Sequence, residues 1–217
     1  MSEELSPRGD TIENMYIDLG ADTREGYAIA ETSRKLARET IGDATPEDGI
    51  RQRCSVAVGD FAMADLMRFT HDPIAAGIAA IKGGATIYTD IRMVQVGILK
   101  KGHSCSVECA LDYGADIAAA EGITRTSAGF LALKEQLAGS IVVIGNAPSA
   151  LLAICRYIDE GIVPALVIGT PVGFVNAAES KELLRTKPVP SVSNLGTRGG
   201  TPIAVASMNE IITMSQE

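Results

Sequence analysis

Three short loops hold most of the residues in this chain that could do chemistry. Gly145-Asn146-Ala147-Pro148, the segment PVGFVN (171–176) and Gly196-Thr197-Arg198-Gly199-Gly200 each follow an apolar run and precede a helical pattern. Loops of this kind present backbone N–H groups where a helix begins, and the helix dipole there favours anions. Asn146, Lys181 and Arg198 add polar and cationic side chains to the same set. Taken singly, each loop has a plainer explanation. Pro148 suits a first helical turn, Asn176 and Glu179 have capping-box spacing, and the glycines around Arg198 make a turn. Taken together, the loops read as one ligand-binding edge. Neither GxGxxG nor GxxxxGK[ST] occurs, so dinucleotides and nucleoside triphosphates are not the expected ligands. The loops suit a larger molecule carrying several carboxylates.

A second cluster raises metal chemistry. On a strand spanning 104–111, His103, Cys105 and Cys109 would share one face. No paired CxxC accompanies them and nothing nearby completes a tetrahedral set, so no metal site is expected. The four cysteines, at 54, 105, 109 and 155, are expected to be reduced thiols of a cytoplasmic protein, because the start MSEELSPRGD carries no secretion signal.

The elements that must position the loops follow from periodicity. Residues 24–40 read as an amphipathic helix. Thr45-Pro46-Glu47-Asp48 opens a second helix, with a cap, a proline and two acids, that runs to Val58 and stops at Gly59-Asp60. A third follows His71-Asp72-Pro73 and ends at Gly83-Gly84. Beyond Gly84, short apolar runs at 85–89 and 103–111 read as strands. Three strand-loop-helix units then begin at 140, 165 and 191, roughly 25 residues apart, which is βαβ spacing. Uniformly apolar strands alternating with helices imply a mostly parallel sheet covered on both faces, a three-layer α/β fold of flavodoxin-like type. Ligands of such sheets bind beyond the carboxyl ends of the strands. No internal boundary is visible, so 1–217 is expected to be one domain, with 1–24 as a loosely attached arm.

Composition sets the outer bounds. The 217 residues are 46% apolar and 21% charged, enough for a substantial core and unlike a disordered chain. Aromatic residues are 4% with no Trp, so that core must come from Ala, Ile, Val and Leu. A net charge of −8 argues against nucleic acid and anionic membrane surfaces as partners. No apolar stretch reaches the ~20 residues of a membrane span.

GNAPSAL (145–151), PVGFVNAAESKELL (171–184) and the Gly-Gly segment leading into an alanine-containing helix with Asn209 resemble the precorrin-8X methylmutase family. TDIRMVQVGI (89–98) and TRTSAGF (124–130) match it in the same order, so the resemblance covers residues 25–212. It implies a flavodoxin-like homodimer acting late in corrin (cobalamin) synthesis. The implied reaction is the isomerisation of precorrin-8X, or its cobalt form, to hydrogenobyrinic or cobyrinic acid. A methyl group moves from carbon 11 to carbon 12, and no cofactor is implied. The tetrapyrrole's carboxylates would meet Arg92, Arg125 and Arg198 through charge-assisted hydrogen bonds. Asn146 and Lys181 would also help hold the ligand, Asp90 and Arg92 would lie near the same edge, and Arg53 completes the expected substrate-binding set.

The resemblance also exposes a departure. The family's catalytic acid is a histidine in a stretch that reads roughly Arg-x-x-His-x-x-Gly-Asp. Here Arg53, Gly59 and Asp60 match, but the histidine position holds Val56, and a serine of the N-terminal helix is Gly26. Valine has no proton to give. Candidate substitutes are His71 (beside Asp72), His103, Cys54 and Ser55. The alternative is a relative that binds a corrinoid without turning it over.

Overall fold

The computed structural model describes residues 23–216, so most of the expected arm, residues 1–22, lies outside the described part. In chain order the elements are α1 (Arg24–Ile41), α2 (Pro46–Val58), α3 (Met63–Leu66), β1 (Met67–Thr70), α4 (Pro73–Lys82), β2 (Ile87–Thr89), α5 (Arg92–Gly97) and β3 (Val107–Cys109). There follow α6 (Ala115–Glu121), α7 (Arg125–Ala132), β4 (Ile141–Ile144), α8 (Pro148–Asp159), β5 (Leu166–Gly169), α9 (Ala177–Arg185), β6 (Ser191–Asn194) and α10 (Thr201–Met214).

The strands form one sheet in the order β1-β6-β5-β4-β2-β3, parallel except for β1, which runs antiparallel to β6 at the edge. Every residue of β4, β5 and β6 is buried, as strands covered on both faces must be. Alternation then divides the core in two. Ile141, Val143, Leu166, Ile168 and Val192 face α2, α4 and α10, where Ile50, Ile74 and Ile211 meet them. Val142, Ile144 and Val167 face α7, α8 and α9, where Phe130, Leu151 and Leu184 meet them. The expected three-layer α/β architecture is what the chain adopts.

Helix ends follow the local chemistry. Asp48 accepts the N–H groups of Ala44 and Thr45 at 3.0 and 2.9 Å, closing the start of α2. Gly59 stops that helix in the left-handed region, at φ 66°. Asn176 departs from expectation: it sits at φ 60°, so its side chain does not cap α9. Helix α2 also lies close against α10, where a Cβ on Gly49 would come within 2.8 Å of Glu210 Oε1.

Two strands differ from the sequence reading. The expected strand over 103–111 shortens to β3, because the Cys105 N–H is diverted 3.1 Å to His103 Nδ1 and the ladder starts only at Ser106. β1 is not foreseen at all. Four residues, Met-Arg-Phe-Thr, carry no alternation long enough to read, and their pairing with β6 makes them a strand.

Candidate functional site at the carboxyl edge

Asp90 leaves the end of β2 and is fully buried. Its Oδ2 accepts the N–H groups of Asn146 and Ala147 at 2.7 and 2.9 Å, and its Oδ1 that of Gly145 at 3.2 Å. The amides at the start of α8 are therefore occupied by the protein's own carboxylate. This corrects the expectation that they await a ligand anion. Burial raises the Asp90 pKa, with the amide donors pulling the other way. Asn146 itself stays exposed on the edge, its side chain outward of this cradle.

Lys181 plays a comparable part beneath the third loop. It is fully buried, and its Nζ donates to the Arg198 carbonyl at 2.5 Å and to Asn194 Oδ1 at 3.2 Å. Asn194 Nδ2 donates to the same Arg198 carbonyl at 2.6 Å. Burial, helped by the charge of Arg185, pulls the Lys181 pKa down to about 8. The second and third loops are tied together, with Gly200 N–H donating to Thr170 O at 2.7 Å and Gly173 N–H to Thr197 O at 3.1 Å. Gly199, at φ 149°, passes so close that a Cβ would lie 2.3 Å from Thr170 O. Below them the Thr170 hydroxyl is buried without a partner among the described residues.

Arg198 carries the edge across to α2. Its Nη1 meets Asp60 Oδ2 at 2.9 Å, both side chains remaining exposed. Asp60 lies in the turn that ends α2, where the Gly59 N–H donates back to Val56 O at 3.3 Å. Val56 thus stands beside the edge, 39% exposed. On the other flank Arg92 pairs with Asp112, and Arg125 Nη2 donates to Leu111 O at 3.2 Å. Thr124 Oγ1 lies 3.0 Å from Ser149 Oγ and fixes the start of α7 against the first turn of α8. Asp90, Arg92, Arg125, Asn146, Lys181 and Arg198 all gather at this edge, with Asp90 and Lys181 beneath its surface.

Three sequence-predicted residues stand apart. Arg53 points inward, its Nη1 on Glu210 Oε2 at 2.9 Å and Thr213 Oγ1 at 3.3 Å. Arg34 of α1 reaches the same Glu210 oxygen at 2.7 Å, so this acid locks α1, α2 and α10 together. His71 follows Thr70, which pairs with Ser191 at the amino end of β6, so it lies at the opposite edge. His103, ahead of β3, is also at the amino edge. Its Nδ1 accepts from Cys105 N and its Nε2 lies 2.6 Å from Leu99 O, so both nitrogens are committed.

The other suggested donors fare no better on geometry. Cys54 is fully buried against Ser207 and Ile203, and burial pushes its thiol up to about 12. Ser55 is buried, its hydroxyl without a partner among the described residues. The loops and helix starts of the carboxyl edge are instead apolar in part. Met93, Val96, Val172 and Val175 are partly or largely exposed there, and Phe174 is 95% exposed. Sequence reasoning passed over this rim, although large apolar residues inside glycine-rich loops were its visible signal. The arrangement can hold a flat apolar body against the rim while cations at its flanks take peripheral carboxylates.

Comparison with known proteins shows the family to which the chain belongs. Residues 28–214 match the family model described as precorrin-8X methylmutase. A cobalt-precorrin-8 methylmutase of Methanocaldococcus jannaschii is 40% identical over 91% of this chain and 98% of its own length. A precorrin-8X methylmutase of Pseudomonas aeruginosa is 42% identical over 88% of this chain and 96% of its own. The crystal structure of the precorrin-8X methyl mutase from Thermus thermophilus superposes with a TM-score of 0.80 at 34% identity, covering 87% of this chain and 96% of that one.

Proposed function

The chain belongs to the precorrin-8X methylmutase family, and on that premise we propose that it isomerises precorrin-8X or cobalt-precorrin-8. The reaction moves a methyl group from carbon 11 to carbon 12 of the macrocycle, a step of cobalamin biosynthesis. The observation that carries the reading is the span of the family match, residues 28–214, which includes every loop of the carboxyl edge and the ties between them.

In this proposal the macrocycle lies against Val56, Met93 and Phe174, while Arg92, Arg125, Asn146 and Arg198 meet its polar periphery. Asp90 and Lys181 hold the loops, and Arg53 with Glu210 holds α2. With valine at position 56, and with both histidines placed at the far edge, acceleration comes from positioning. The cytoplasm is the proposed compartment. Among the described residues no helix is long and apolar enough to cross a membrane. A second copy of the chain is the proposed cover for the apolar rim, since so much exposed aromatic and aliphatic surface favours an interface.

The test is anaerobic turnover of precorrin-8X followed by visible absorption, with binding of hydrogenobyrinic acid titrated in parallel. Slow conversion by the natural chain is expected. Binding of the product without any conversion of the substrate would overturn the isomerase reading.

A further inference from the structure

A cavity of about 690 Å³ opens at the β1 edge of the molecule, between the last turn of α1, the first turns of α2, and α3 with β1. None of its lining residues belongs to the three carboxyl-edge loops. Its volume is within the ~300–1,000 Å³ usual for small-molecule sites. Arg51 and Arg68 stand in its wall, and Ile41, Phe61 and Met67 supply apolar surface.

The two guanidinium groups differ in a useful way. Arg51 is oriented in advance, its Nη1 on Asp48 Oδ1 at 2.8 Å and its plane 5.0 Å over the Phe69 ring. Arg68 donates only to the backbone carbonyls of Asp65 and Met67, both at 2.8 Å, and among the described residues no carboxylate lies within ion-pair distance of it. Across the strand pair, opposite Arg68, Ser193 receives Arg185 Nη1 at 3.4 Å, and Arg185 also lacks a carboxylate partner among the described residues. Burial depresses the Arg185 pKa, the charge of Glu182 opposes it, and the charge of Arg68 adds to the depression. Two partly buried cations thus share one strand edge with no carboxylate within ion-pair distance among the described residues, and only Glu182, further off, acts on Arg185, in a chain of net charge −8. That is an unusual expense unless an anion visits. Asp48 and Asp65 share the cavity wall and would repel a compact polyanion, so one anionic group on an apolar body fits best.

We propose that this cavity is a second binding site, for a small organic anion that sets a carboxylate or phosphate on Arg68 and an apolar body against Phe61 and Met67. It stands independently of the methylmutase reading. Phe61 and Ala62 directly follow Asp60, the partner of Arg198, so an occupant would bear on the turn that joins α2 to the carboxyl edge.

Calorimetric titration of the full chain with benzoate, phenyl phosphate and inorganic phosphate tests the assignment. Saturable binding of benzoate or phenyl phosphate at one equivalent per chain is expected, and the tighter of the two identifies the anionic group. Binding should weaken at least about tenfold in Arg68→Leu and in Ala62→Trp, which fills the cavity without altering charge. The surface control Arg156→Leu should bind as the natural chain does. If Arg68→Leu does not fold, Ala62→Trp decides. Absence of saturation up to about 10 mM, equal affinity in all variants, or inorganic phosphate binding as tightly as the aryl ligands would overturn the proposal.

Discussion

In the proposed reaction Val56 stands where the family resemblance expects a catalytic acid. General acid catalysis contributes typically about 10²–10⁴ in rate, so restoring an acid to an otherwise complete site has a measurable signature. Val56→His should raise precorrin-8X turnover by up to that factor without changing affinity for the product. Preserved binding with no gain in rate would mean that more than the acid differs. Lys181 gives a residue-scale prediction in pH. Its pKa falls from 10.5 to about 8 in the fold, so between these values the unfolded chain holds the extra proton. Stability attributable to Lys181 therefore rises with pH across that window. Cys54 and Cys155 act oppositely. Their folded values, about 12 and about 11 against 9.0 unfolded, make stability fall as pH rises above 9.0. Urea midpoints of the natural chain minus those of Lys181→Met, taken from pH 7.5 to 10, isolate the lysine. The difference should widen in favour of the natural chain, and a flat difference would deny the shift. All four cysteines are buried, so the native protein should resist thiol reagents at pH 8 until it is denatured.

Asp90 is the pivot among the elements, because one carboxylate replaces the hydrogen bonds that three amides at the start of α8 would otherwise lack. Asp90→Ala leaves those amides buried and unmatched, at a cost of about 3 kcal/mol or more. The measurable result is a lowered thermal midpoint together with weaker ligand binding, since Asn146 moves with the loop. Asp90→Asn, which keeps one acceptor oxygen, should lose less. The elements around this pivot were largely legible in the sequence. The three strand-loop-helix units, the helix opened by Thr45-Pro46 and the one following Asp72 appear where periodicity and caps put them. Their signals are local, which is why they survive reading one residue at a time. The use of the loop amides was not legible, because Asp90 and Gly145 are 55 residues apart and only the β2–β4 pairing brings them together. β1 escaped for the same reason, its strand character residing in its partner β6. The Arg198–Asp60 pair was equally hidden, spanning 138 residues between loops on different elements.

The whole molecule adds a distribution that no single element shows. The hydrogen bonds that tie the loops to one another collect on the carboxyl end of the sheet, and so does the exposed apolar surface of Phe174, Val175, Met93 and Val96. If a second copy covers this rim, Phe174→Asp should convert a dimer to a monomer in sedimentation and abolish turnover, with the chain remaining folded. A protein already monomeric at micromolar concentration would remove that cover. The fold class was readable from composition and alternation alone, whereas the apolar rim depended on which loop residues the tertiary structure leaves uncovered. The occupied amides of α8 have one last consequence, for selectivity. With that helix start already neutralised by Asp90, sulfate and other simple anions abundant in a cell find no ready seat there. Discrimination then falls to side chains at the periphery, which respond to the spacing of several charges and ignore one charge alone.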